Sequence, residues 1–166
     1  MKLQHLAATL AGLWAGVMIG VGYVSAPVIF RMLPDQRKFA GTIAGDTFAI
    51  TAYISLALGA IILLLVRRVN KRAGFNTPNA PMLWVLAALA LAIVGQFVVF
   101  PMVVHARDVG PGALSFGALH GISTTIYMLE IACVLALNWS LYKPVQKPQG
   151  IESAVKPGPE EDEAQD

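Results

Sequence analysis

The sequence predicts an all-α, four-transmembrane-helix bundle with both termini in the cytoplasm and a disordered acidic tail. Three observations carry that prediction. Of 166 residues, 56% are hydrophobic and only 13% charged, which is outside the usual range of soluble domains. The apolar residues gather into four runs, each long enough for the ~20 residues that a helix needs to cross the hydrocarbon core. Basic residues border the runs and acids collect at the end of the tail, so a net charge of +2 conceals a strongly patterned chain.

The first span covers residues 6–30 and is interrupted only by small or weakly polar residues. A signal peptide is the competing reading, with Val24-Ser25-Ala26 as a cleavage site. The run is too long for a usual h-region, and Pro27 would follow the cut. Pro27 is instead expected to bend or end the helix. Leu33-Pro34-Asp35 is a turn, after which apolar character continues to Val66. As one helix, Asp35 to Arg67 would measure about 50 Å, too long for a ~30 Å core. It must project, tilt or break near its glycines, and residues 42–66 are the part expected to span. Asn70 to Ala80 is a polar loop with Gly74 and Pro78. The third span, 82–104, holds Gln96 and Pro101, and the fourth, 117–141, is the most polar. Residues 1–143 thus form the membrane domain, and 144–166 a Pro-rich acidic tail with nothing to bury.

Orientation follows from the basic residues. The side holding both termini and the central loop carries eight Lys and Arg, and the other two loops carry Arg31, Arg37, Lys38 and Arg107. The positive-inside rule then places the termini in the cytoplasm of a bacterial inner membrane. The basic cluster Arg67, Arg68, Lys71 and Arg72 directly follows an apolar helix, so it reads as a topology signal and no nucleic-acid partner is expected. The one cysteine, Cys133, lies inside an apolar run and reads as core filler.

Small residues repeat at helical spacing on both sides of the first turn. Gly12, Gly16 and Gly20 in the first helix and Gly41 and Gly45 in the second would let these two helices, or partner helices, approach closely. In a bilayer, backbone approach over small residues is a main source of association. The partners expected are therefore the bilayer and a second copy or other membrane helices.

The polar residues within the spans are expensive enough to need a reason. At 100° per residue, His120, Ser123, Thr124, Tyr127 and Glu130 share one face of the fourth helix. Glu130 falls about 15 Å below His120, near the bilayer centre, where an ionised carboxylate must be paired or hydrated. Gln96 and Asp46 complete the candidate intramembrane site, Asp46 from a weaker stripe with Thr42 and Tyr53. For Glu130 the structural alternative is a neutral carboxyl hydrogen-bonded to Gln96 or a tyrosine. No catalytic residues are indicated, because no phosphate loop or nucleophile elbow is present. No cofactor is expected. If one binds, haem or copper through His105 and His120 is the candidate, with Met32 and Met102 nearby in sequence.

Three blocks resemble a known family: Gly20-x-Gly22-Tyr23-x-x-Ala26-Pro27-x-x-Phe30, Ala40-Gly41-x-x-x-Gly45-x-x-Phe48, and Phe116-x-x-Leu119-His120-Gly121-x-Ser123. They look like the signature blocks of bacterial DUF4149 proteins, whose eukaryotic relatives are the transmembrane protein 205-like proteins. The resemblance covers about residues 8–142 and implies a four-helix membrane protein of unsettled biochemistry. The eukaryotic relatives' link to resistance to a platinum drug implies handling of metals or small solutes. The function expected is a small-solute or ion transport or permeability component. The alternatives are a haem- or copper-linked redox protein and a membrane scaffold.

Overall fold

Neither Pro27 nor Pro101 ends its helix. In the computed structural model, which describes residues 2–74, 78–110 and 112–143, the first helix continues past Pro27 and the third past Pro101. Both do so by the same device, a widened π turn placed just before the proline, at Gly20–Ser25 and Gly95–Val99. Proline has no N–H to give and its ring crowds the carbonyl four residues back. In the π turns the Ala26 N–H reaches back five residues to Val21 O and the Phe100 N–H to Gly95 O. The extra residue makes room for the ring without breaking the rod.

Four continuous helices result: α1 (Lys2–Met32), α2 (Arg37–Ala73), α3 (Ala80–Asp108) and α4 (Phe116–Tyr142), each long and apolar enough to cross a membrane. Of the options for the second segment, a break near its glycines is ruled out. α2 is a single helix of 37 residues, about 55 Å long, so it exceeds the bilayer core and must tilt or project. Gly74, at φ 78°, closes α2 in the left-handed conformation that favours glycine. Asn79 caps α3 by accepting the Met82 N–H, and Ser115 caps α4 by accepting from Ala118. The tail from residue 144 lies outside the described residues.

The helices form an antiparallel ring in which α1 packs on α2, α2 on α3, α3 on α4 and α4 back on α1. The ring is unevenly filled. At the end that carries the termini, an alanine face of α1 (Ala7, Ala8, Ala11, Ala15) with Trp14 and Met18 packs against Ile62 and Val66, Val85 and Ala88, and Ile131, Val134 and Leu137. Polar stitches hold the same end. Gln4 donates to Leu141 O at 2.6 Å, Asn138 to Ala8 O at 2.7 Å, and Asn70 and Asn79 exchange amide hydrogen bonds at 2.9 and 2.7 Å. Within the membrane such bonds also satisfy groups that lipid cannot.

The glycines do not zip α1 to α2. A Cβ at Gly16 or Gly20 would meet nothing within 4 Å, and one at Gly12 would meet Asn138 of α4 at 3.3 Å. Gly41 and Gly45 face the end of α3, where a Cβ on Gly45 would lie 3.5 Å from Arg107 and Phe100. α1 and α2 approach over Gly59 instead, where a Cβ would meet Leu89 at 2.5 Å and Trp14 at 3.0 Å. A single glycine between two bulky side chains is invisible to a search for repeats.

Candidate functional site

The end of the ring away from the termini is hollow. A cavity of about 430 Å³ occupies it, within the range of small-molecule sites. Its walls come from the second half of α1, the first half of α2, the second half of α3 and the first half of α4. From Phe116 to Glu130 the α4 wall descends about 21 Å. Both π turns lie in this half, with Gly22 and Gly95 among the lining residues.

The α4 stripe lines this cavity: His120, Ser123, Thr124, Tyr127 and Glu130 all contribute, and Gln96 faces them from α3. Asp46 does not. The inward face of α2 is Gly41, Ala44, Gly45, Phe48, Ala52 and Ser55, whose spacing follows one helical stripe. Asp46, one position past Gly45, is rotated out and exposed. Its charge still acts on Arg107. Gly12, Gly16 and Gly20 are likewise outside the cavity wall.

At the floor Glu130 is only 5% exposed, and its Oε1 has no hydrogen-bond partner. The Ser55 hydroxyl is near enough to interact with this carboxyl, and it also accepts the Trp14 indole N–H at 2.8 Å. An unpartnered buried oxygen costs about 1–3 kcal/mol, more if it is charged. Tyr127, by contrast, is fully engaged. Its hydroxyl donates to Met18 O at 2.7 Å and its ring meets Phe48 edge-on at 5.1 Å. Gly22 is what admits the ring, for a Cβ there would lie 2.8 Å from it. Tyr127 therefore fastens α4 to α1 and offers Glu130 no hydrogen bond.

Arg107 lines the upper wall of the cavity with its charge already matched. Nε and Nη2 donate to the two carboxylate oxygens of Asp108 at 2.9 and 3.0 Å, and Nη1 donates to Gly41 O at 3.1 Å. The glycine face of α2 serves to seat this guanidinium. His120 stacks on Phe116, one turn earlier, with ring centroids 6.0 Å apart. His105 is exposed and does not line the cavity with it. Among the described residues no three His, Cys, Asp or Glu side chains gather closely enough to hold a metal ion. The haem and copper readings thus gain no pair of histidines from this geometry.

Arg107, Ser55 and Trp14 were missed from the sequence, though signals existed. Arg107 is eleven residues after Gln96, which returns it to within about 20° of the same direction on a regular helix. Ser55 ends the glycine stripe that begins at Gly41. Removing the Ser55 hydroxyl isolates a buried indole N–H, so Ser55→Ala is expected to cost about 1–3 kcal/mol. Thermal melting in detergent checks this, with Thr51→Ala as the control, since Thr51 bonds only to Thr47 O of its own helix. A larger space of about 830 Å³ lies at the opposite end, where Asn70 and Asn79, its facing amides, already satisfy each other. It presents no orphaned group and is not the candidate site.

No curated protein matches this chain, and no solved structure does. The model of one family, described as a domain of unknown function, matches residues 9–111 and so spans α1 to α3. It stops before α4, so the Leu119-His120-Gly121 block and Glu130 lie beyond the matched segment. With more than half of its length matched and four helices suited to cross a membrane, this integral membrane protein belongs to the DUF4149 family.

Proposed function

We propose that the protein is a small-solute or ion permeability component of a bacterial inner membrane, and that its vestibule leads to Glu130. The observation that carries this reading is Glu130 Oε1, buried without a partner at the floor of a polar-striped cavity. A carboxyl placed near the middle of a membrane-spanning helix is costly to keep, and such residues commonly mark solute or proton paths. With both termini in the cytoplasm, as the eight-to-four basic count supports, the vestibule opens outward. The packed half beneath Glu130 closes the inner end of each protomer. Passage then requires either helix movement or a path built with a second copy. The open face over Gly16 and Gly20 supports association with a second copy or other membrane helices.

Two measurements test the reading. Reporter fusions after Lys143 should be active only when the reporter works in the cytoplasm, and high activity of a periplasmic reporter there would reverse the orientation. Proteoliposomes should show a proton or solute leak that Glu130→Gln removes. A leak equal to that of empty vesicles for the wild type, over a panel of protons, alkali cations and small organic solutes, would refute permeation.

A further inference from the structure

We infer that the vestibule is a binding site for a hydrophobic ammonium ion, whose N–H group donates to Glu130 while its apolar body fills the aromatic upper cavity. This deepens the permeability reading by naming the class of solute, and it rests on that reading for its transport consequence only.

The argument begins with the charges that face the space. α1 and α2 contribute no titratable side chain to the wall; α3 contributes Arg107, and α4 contributes His120, Tyr127 and Glu130. Arg107 is the only fixed cation among them, and all three of its nitrogens are engaged by Asp108 and Gly41. It can neither neutralise Glu130 nor offer a free fork to an anionic solute. Asp46 adds further negative charge near it. Tyr127 already donates its hydroxyl hydrogen bond to Met18 O. The vestibule therefore holds one acceptor oxygen that nothing in the described wall satisfies, and its surplus charge is negative whenever Glu130 is ionised.

The wall above that oxygen selects the rest of the ligand. Phe30, Phe48, Phe100 and Phe116 enter the lining from all four helices, with Ala and Gly between them. Aromatic faces attract a cation within about 6 Å, by ~0.5–2 kcal/mol, and a desolvated site strengthens the effect. Apolar walls also reject a strongly hydrated metal ion, for which the site has one carboxylate and no cluster of ligands. A lipophilic amine loses little hydration on its body and brings the donor that Glu130 lacks. A volume of about 430 Å³ accommodates two or three fused rings.

The test uses the full chain purified in detergent and titrated calorimetrically with three probes: 9-aminoacridine, 1-aminoadamantane, and anthracene-9-carboxylate as the anionic three-ring counterpart. Both amines should bind with saturation and the carboxylate should not. Glu130→Gln should weaken the amines at least tenfold and Glu130→Asp by less. Ala52→Phe, which fills the cavity and keeps the carboxyl, should abolish binding of 9-aminoacridine. Amine affinity unchanged by Glu130→Gln would reduce the effect to partition into micelles and walls and overturn the inference. So would preference for the carboxylate, or absence of saturable binding by wild type for both amines. The two readings fail separately. Glu130-dependent proton leak without amine binding leaves permeation standing and removes the amine, whereas saturable amine binding without flux leaves a ligand site and removes permeation.

Discussion

Glu130→Gln is expected to give a folded protein that has lost its function. The amide keeps the shape of the side chain and one acceptor oxygen, and the core that holds the bundle lies at the other end of the ring. Stability should change by on the order of 1 kcal/mol or less, and in the stabilising direction if the carboxylate is charged in the native state, because an orphaned buried charge is removed. Function should respond quite differently. The amide brings N–H donors to a place that we read as requiring an acceptor, and it carries neither a charge nor a titrating proton. Amine affinity should fall at least tenfold, equivalent to about 1.4 kcal/mol. The proteoliposome leak should fall to that of empty vesicles. His120→Gln is the companion variant, since His120 lies along the same wall. A deletion strain rescued equally by wild type and Glu130→Gln would sink the functional reading of this residue. The packed scaffold would then be the better account of the fold.

The largest structural effect should come from Gly59. A Cβ there lies 2.5 Å from Leu89 Cδ2, 2.9 Å from Leu89 Cγ and 3.0 Å from the Trp14 ring. Alanine requires Leu89 to move. Leucine requires α2 to separate from both α1 and α3, which also strains the Trp14–Ser55 hydrogen bond at the cavity floor. Overpacking of this kind costs about 1–3 kcal/mol and often more where two helices must part. Gly59→Leu should therefore lower the apparent Tm in detergent by several degrees. Gly16→Leu, whose side chain enters open space, should leave the protomer's Tm almost unchanged. A Gly16→Leu variant that melts earlier than Gly59→Leu would show that the sites of close approach are misplaced. If Gly16→Leu changes oligomer size instead, the open glycine face is an interface between copies.

Four spans, their order and the polar face of α4 were all legible in the sequence, because hydropathy and a 100° period are local properties. The partner that Asn138 meets across the bundle, the Ala8 carbonyl, could not be named. Which partner the glycines face could not be read, for a physical reason. A repeat reports which face is small, but close approach needs a partner on that face, and Gly16 has none whereas Gly59 has two. Of the two outcomes expected at Pro27, ending the helix did not occur, because termination is only one way to accommodate a ring without an N–H. A π turn is the other, and α1 and α3 both take it. Asp46 shows the same limit, since small residues one position away took the inward face of α2. By itself the sequence determined the class of the protein, its spans and the stripe with a buried acid. Only the tertiary structure decided that the cavity away from the termini is the one with an orphaned polar group, that Arg107 is already matched by Asp108, and that Tyr127 is spent on Met18. Those facts depend on which groups from different helices meet, and they are what leave Glu130 with an oxygen unpartnered.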